Sequence, residues 1–226
     1  MKSREGRQIN SMTAELKERL SKEGLIIGIV GPTGSGKSTI SGVLGKYLDI
    51  PVIEEKFTVN PFLERFYEDP KLWSYKSQTW FFAEKVKQLR ELDFNKSQII
   101  DPAIEMDFIY AQTLHQIGFM GGHEFKLYET AFDEIYDLLQ KEKGVRKPDL
   151  FLTVNAPFEI LEKRIRKRGR PYELIMLEKY PSYLAKLGKS VEAFVNGKSI
   201  FVNTRDDSYT DKNQIEELIE KIGHII

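Results

Sequence analysis

Residues Gly31–Thr39 read GPTGSGKST. An apolar run, Leu25-Ile26-Ile27-Gly28-Ile29-Val30, precedes them, and Ile40, Val43, Leu44 and Tyr47 follow at helical spacing. The arrangement is strand, glycine turn, helix, with GxxxxGK[ST] filled at Gly31, Gly36, Lys37 and Ser38. Glycines let successive backbone N–H groups converge on one point without Cβ clashes, and the helix start adds the positive end of its dipole. Such a cradle holds phosphate. Gly31, Thr33, Gly34, Ser35, Gly36, Lys37, Ser38 and Thr39 are the candidate nucleotide-binding residues. Lys37 reaches toward the β- and γ-phosphates, and the Ser38 hydroxyl toward Mg²⁺. A glycine-rich turn can fill the pattern by accident, but rarely between a buried strand and an amphipathic helix. The stretch predicts binding of a nucleoside triphosphate with Mg²⁺.

Composition narrows the class. The 226 residues suit one α/β domain with a sizeable core. Lysine plus arginine equals aspartate plus glutamate at 34 each, so no global field draws the chain to nucleic acid or an anionic membrane. Absence of cysteine removes disulfides, thiolate zinc sites and thiol nucleophiles together. Residues 1–12 are polar and lack the apolar segment of a signal peptide, and no run approaches membrane-spanning length. The expectation is a cytoplasmic protein with a polar, loose start to about Ser11 and a short helix over Ala14–Leu20. Residues 1–23 read as an extension and 24–226 as a single domain.

Further strands are expected at Ile50–Ile53, Ser97–Asp101, Leu150–Val154 and Ser199–Val202. The second is expected to be buried and to end in Glu54-Glu55, the third to end in Asp101. Carboxylates at strand ends of an open parallel sheet face the ligand crevice. Helices are expected at Asn60–Tyr67 (capped by Asn60), Trp73–Leu92, Asp107–Ile117, His123–Gln140, from Pro157 through the cationic run, Glu173–Val195 and Asn213–Ile222. Strands alternating with helices predict a parallel sheet covered on both faces. Gln78 sits among Trp73, Tyr75, Trp80, Phe81 and Phe82, where a polar amide must find a partner in protein or substrate.

Six of the eight residues from Lys163 to Arg170 are cationic. A charge run is ordinarily a solvated face or a nucleic-acid patch. Here, downstream of a phosphate loop, it reads as a lid. Arginines over a triphosphate stabilise charge spreading onto the transferred oxygens, and Gly169 supplies a hinge.

The chain resembles the deoxynucleoside kinases of the deoxyguanosine, deoxyadenosine and deoxycytidine type. The resemblance lies in IGIVGPTGSGKSTI, IEEKFTVNPFLERFYEDPKLWSYKSQTWFF, IIDPAIEMD and LEKRIRKRGRPYE, in family order from about Leu25 to Asp206. It implies a three-layer P-loop kinase fold, a five-stranded parallel sheet with helices on both faces and an arginine-rich lid. By the same resemblance Glu55, or the adjacent Glu54, matches the general base for the sugar 5′-hydroxyl. Tyr67 and Glu173 match the pair holding the 3′-hydroxyl, and Gln78 the amide that reads the base, with Phe81 or Trp80 as a wall. Arg164, Arg166, Arg168 and Arg170 cover the lid, Arg164 and Arg168 as the best-placed catalytic matches, and Asp101 reaches Mg²⁺ through water. Lys85 and Asp107 stand where purine and cytosine kinases pair an arginine with an acid. Thymidine-preferring members carry small or apolar residues there, so a purine deoxynucleoside or deoxycytidine is implied.

The family follows the acid at 101 with arginine and serine, whereas this chain has Pro102-Ala103. That arginine orients the catalytic carboxylate, and loss of one transition-state donor typically lowers rate about 10²–10³-fold. A working salvage kinase, a nucleoside-monophosphate kinase and a catalytically impaired nucleotide-binding homologue all follow as readings. The resemblance also implies a homodimer, for which the stripes of Trp73–Leu92 and Asp107–Ile117 are candidates.

Overall fold

Five strands, β1 (Ile26–Val30), β2 (Val52–Glu54), β3 (Gln98–Asp101), β4 (Leu150–Asn155) and β5 (Ser199–Asn203), form one sheet in the order β2-β3-β1-β4-β5. Every pairing is parallel. The structure is a computed structural model describing the backbone of residues 2–55, 60–194 and 197–226, and side chains at 13–55, 60–194, 197–206 and 208–226. Residues 56–59, part of the second stretch quoted above, and Val195, the expected end of a helix, lie outside it.

Parallel strands need long crossovers, and helices supply them. They are α1 (Lys2–Glu23), α2 (Lys37–Leu48), α3 (Leu63–Glu68), α4 (Pro70–Glu91), α5 (Ile104–Gln116), α6 (Gly122–Lys143), α7 (Phe158–Arg168), α8 (Pro171–Lys179), α9 (Pro181–Glu192) and α10 (Lys212–Ile225). Alternation along β1 divides the core. Ile27 and Ile29 face Ile40, Leu44, Leu150, Leu152, Ile215 and Ile219 on one side of the sheet. Ile26 and Val30 face Phe82, Ile100, Ile104, Phe151 and Leu187 on the other. This is the expected three-layer arrangement.

Several expectations need correction. The start of the chain is not loose: α1 runs from Lys2 to Glu23 and includes the short helix expected over Ala14–Leu20. Leu16 and Leu20 are buried in the layer formed with α10. Leu16→Ala is expected to lower unfolding free energy by about 2 kcal/mol, the low end for a buried leucine because a terminal helix can relax. Urea denaturation measures it, and a loss under about 0.5 kcal/mol would show α1 undocked in solution. Strand β2 is an edge strand and only half-buried, because one side of its ladder has no neighbour among the described residues. Asn60 does not cap α3; its Oδ1 accepts from Phe62 N at 2.9 Å, and the helix begins only at Leu63. The single helix expected from Glu173 is two, since Pro181 pushes Tyr180 out of the helical region (φ −136°, ψ 51°). Of the Asp107–Ile117 stripe, Ile109, Ala111 and Leu114 are buried in the core.

Candidate active site

The chain leaves β1 and β3 in opposite directions across the sheet, and a crevice opens at their carboxyl ends. The cavity there measures about 400 Å³, within the range of small-molecule sites. Its floor is the phosphate loop. A Cβ on Gly31 would lie 2.3 Å from the Val154 carbonyl oxygen, and Gly36 holds φ +91° with Tyr209 Oη 2.8 Å from where its Cβ would be. Neither position admits a side chain. Thr33, Gly34, Gly36, Lys37, Ser38 and Thr39 line the cavity, whereas Gly31 and Ser35 support the loop from beneath, Ser35 fully buried. The Lys37 ammonium donates to the Gly31 and Pro32 carbonyls at 2.8 and 3.0 Å. Burial lowers its pKa below the usual lysine range, against Asp101 and Glu55, which favour the charge.

The three acids expected at the crevice are there. Asp101 is 3% exposed and accepts from Ser41 Oγ at 2.7 Å, so α2 fixes its orientation. Glu55 follows β2, its backbone N donates to the Asp101 carbonyl at 3.1 Å, and both residues line the cavity. Glu54, the alternative base, also lines the cavity but is exposed.

Lys85 departs from expectation. Its side chain is 1% exposed, and its ammonium lies 3.7 Å from Glu55 Oε1 and donates to Pro102 O at 2.9 Å and Gln88 Oε1 at 3.1 Å. The pairing with Asp107 implied by the family pattern is not made among the described residues. Asp107 keeps a buried Oδ2 without a partner, as does Gln78 with Oε1, and both residues line the cavity. Burial, reinforced by Glu55, raises the Asp107 carboxyl well above the usual carboxylate range, and Lys85 opposes this. Phe81 forms the wall; Trp80 stands behind it, edge-on at 5.5 Å.

Tyr67 and Glu173 meet from α3 and α8. The Tyr67 ring stacks on Tyr172 at 5.3 Å, and burial raises its phenol. Glu173, 6% exposed, receives Arg168 Nε and Nη2 on Oε2 at 2.9 and 2.6 Å and Arg170 Nη1 on Oε1 at 3.3 Å. Between those arginines Gly169 takes φ +68°, which turns α7 into α8. Arg164 lines the cavity too, but its guanidinium donates to Thr204 Oγ1 and O at 3.0 and 2.7 Å and lies 5.2 Å over Tyr209. Thr204 Oγ1 in turn donates to Ser35 O at 2.7 Å, so Arg164 braces the phosphate loop. Arg166 is not in the cavity lining; it bonds Glu162 at 2.9 Å on the outer face.

Sequence reasoning missed Tyr110, Tyr172, Thr204 and Tyr209. Tyr110 hydrogen-bonds Thr33 from α5, and burial raises its phenol despite that bond. One helical turn after Asp107, it was legible as a second inward position. Thr204 and Tyr209 follow β5 and carried no signal, because their partners are far away in sequence.

Phosphate loop, strand-end carboxylates and arginine-bearing helix end together define a phosphoryl-transfer enzyme of the P-loop kinase class. The chain belongs to the deoxynucleoside kinase family, whose model matches residues 27–226. It is 27% identical over 219 residues to deoxyguanosine kinase of Lactobacillus acidophilus, covering 88% of this chain and 93% of that one. It is 28% identical over 218 residues to deoxyadenosine/deoxycytidine kinase of Bacillus subtilis, covering 93% and 97%. Deoxyadenosine kinase from M. mycoides with bound dCTP superposes with a TM-score of 0.74 at 26% identity, over 89% of this chain and all of that one. The protein is thus an ATP-dependent deoxynucleoside kinase.

Proposed function

We propose that the enzyme phosphorylates the 5′-hydroxyl of a purine deoxynucleoside or deoxycytidine, with Glu55 as general base and the lid arginines on the transferred phosphoryl group. The reading is carried by two buried acceptors that have no partner among the described residues, Gln78 Oε1 and Asp107 Oδ2, in the cavity that also contains Glu55. Adenine, guanine and cytosine each bring an exocyclic amine to such acceptors; thymine brings only its ring N3–H, which can meet one acceptor and leaves the other unpaired. Tyr67 and Glu173 hold the 3′-hydroxyl. Ser38 and Asp101 fit a magnesium ion that takes its remaining ligands from phosphates and water, the usual manner for this ion. When bound, the metal neutralises charge on the phosphates. We place the enzyme in the cytoplasm as a homodimer, with α4 as a candidate face.

Purified protein with ATP, Mg²⁺ and each deoxynucleoside tests this. Thymidine is expected to be about 10- to 10²-fold worse in kcat/KM than the best of the other three, since a buried acceptor left unpaired costs about 1–3 kcal/mol. Thymidine turnover equal to the others would remove the base assignment, and transfer only to deoxynucleoside monophosphates would reassign the acceptor. Pro102 favours one second reading, a nucleotide-binding homologue without turnover. Calorimetric binding of deoxynucleoside and ATP with no monophosphate formed at high enzyme would establish it.

A further inference from the structure

The buried ammonium of Lys85 belongs to neither the base-reading pair nor the phosphate loop. It projects from the middle of α4 against two adjacent strand ends. From there it makes three contacts: Glu55 Oε1 at 3.7 Å, Pro102 O at 2.9 Å and Gln88 Oε1 at 3.1 Å. Gln88, one turn further along the helix, donates from Nε2 to the Glu54 carbonyl at 2.9 Å. Two side chains of one helix therefore grip the end of β2 at Glu54 and Glu55, and bind it to the end of β3 at Pro102. A lysine that is 2% exposed needs charged or strongly polar company, because an uncompensated buried charge is strongly destabilising. Here that company is the carboxylate to which the reaction assigns a proton. Proline at 102 cannot supply a side-chain cation at the strand end, and its carbonyl is where the ammonium docks.

We propose that Lys85 is the positioning residue for Glu55, doing from α4 what a cationic side chain at position 102 would do from the strand end. The inference rests on the reading of Glu55 as general base. It separates Lys85 from base recognition, leaving that to Gln78 and Asp107. A carboxylate fixed at one oxygen by an ammonium presents the other to the hydroxyl, and a misplacement of about 1 Å is enough to lower rate about 10²-fold.

Lys85→Met keeps length and removes the charge. With ATP and the best deoxynucleoside it is expected to lower kcat about 10²-fold, with KM for the deoxynucleoside within about threefold and the ranking of bases unchanged. Lys85→Arg, which retains a donor cation, is expected to stay within about tenfold of the wild type in kcat. Pro102→Arg is expected to restore at least about tenfold in kcat in the Lys85→Met background. A rise in KM or a reordering of bases with kcat intact would overturn the inference, as Lys85 would then be a base contact. So would a gain of about 10²-fold from Pro102→Arg alone, which would show Glu55 unheld in the natural chain. If thermal melting shows Lys85→Met unfolded, the Lys85→Arg and single Pro102→Arg results decide the matter. Glu55→Gln run in parallel separates the two levels. Inactive Glu55→Gln beside unaffected Lys85→Met sinks the role of Lys85 alone, whereas active Glu55→Gln sinks the base assignment itself.

Discussion

Glu55→Gln is expected to lower kcat by about 10²–10⁴-fold, the usual contribution of a positioned general base. The substitution preserves size and one accepting oxygen, so the fold and the β2–β3 junction should survive it. The backbone bond from Glu55 N to Asp101 O at 3.1 Å remains, and Lys85 keeps Pro102 O and Gln88 Oε1 as partners when the Glu55 charge is lost. What disappears is the capacity to take the hydroxyl proton as the 5′-oxygen attacks. The loss should therefore sit in kcat, with calorimetric affinity for the deoxynucleoside changed by less than about threefold. Glu54→Gln is the matched control. Its residue is exposed and the Gln88 contact uses its main-chain carbonyl, so less than about threefold change in kcat is expected there. Equal losses in the two variants, or a Glu55→Gln enzyme within tenfold of the wild type, would leave the proton without this acceptor.

How far the sequence carried these conclusions depends on the distance over which each interaction acts. The β1–loop–α2 unit was legible because its determinants are consecutive: glycines where Val154 and Tyr209 press on the backbone, then Lys37 and Ser38 at the helix start. Asp101 and Glu55 were legible as strand-end carboxylates for the same local reason. The half-exposure of β2 was not. Val52 and Ile53 have the apolar character of an inner strand, and only sheet order, a global property, leaves them at an edge. The break at Tyr180 was available in the sequence, since a proline restricts the residue before it, but the helical pattern on either side concealed it. Lys85 shows the limit most clearly. The family pattern points it at Asp107, and the side chain instead bonds Pro102 O, an acceptor whose position depends on how α4 crosses the end of β3. Arg164 was likewise placed with the lid by its neighbours in the chain, whereas Thr204, forty residues on, draws it to the phosphate loop.

Arg168→Ala is expected to lower kcat about 10³-fold, the low end of what an arginine aimed at a transferring phosphoryl group supplies. Two nitrogens of Arg168 converge on one oxygen of Glu173, the carboxylate proposed to accept the sugar 3′-hydroxyl, and Arg170 takes the other oxygen. On the proposed roles, the deoxynucleoside and the triphosphate would meet at this one ion pair. A 3′-hydroxyl donating to Glu173 needs only part of that carboxylate's accepting capacity, which leaves the guanidinium able to turn its outer donors toward phosphate oxygens. Removing Arg168 takes away the transition-state donor and also loosens Glu173, so KM for the deoxynucleoside should rise severalfold alongside the fall in kcat. Arg168→Lys is not expected to restore the rate, because an ammonium cannot bridge a carboxylate and a phosphate with the planar fork this position uses. Arg166→Ala separates catalysis from bulk charge. It removes the same charge two residues away, from a side chain held by Glu162 on the outer face, and should change kcat by less than about twofold. Steady-state kinetics in both substrates for the three variants is decisive. Equal losses at 166 and 168 would mean that the run from Lys163 to Arg170 acts as a diffuse positive field, and that the placement of Arg168 over Glu173 has no part in the transfer.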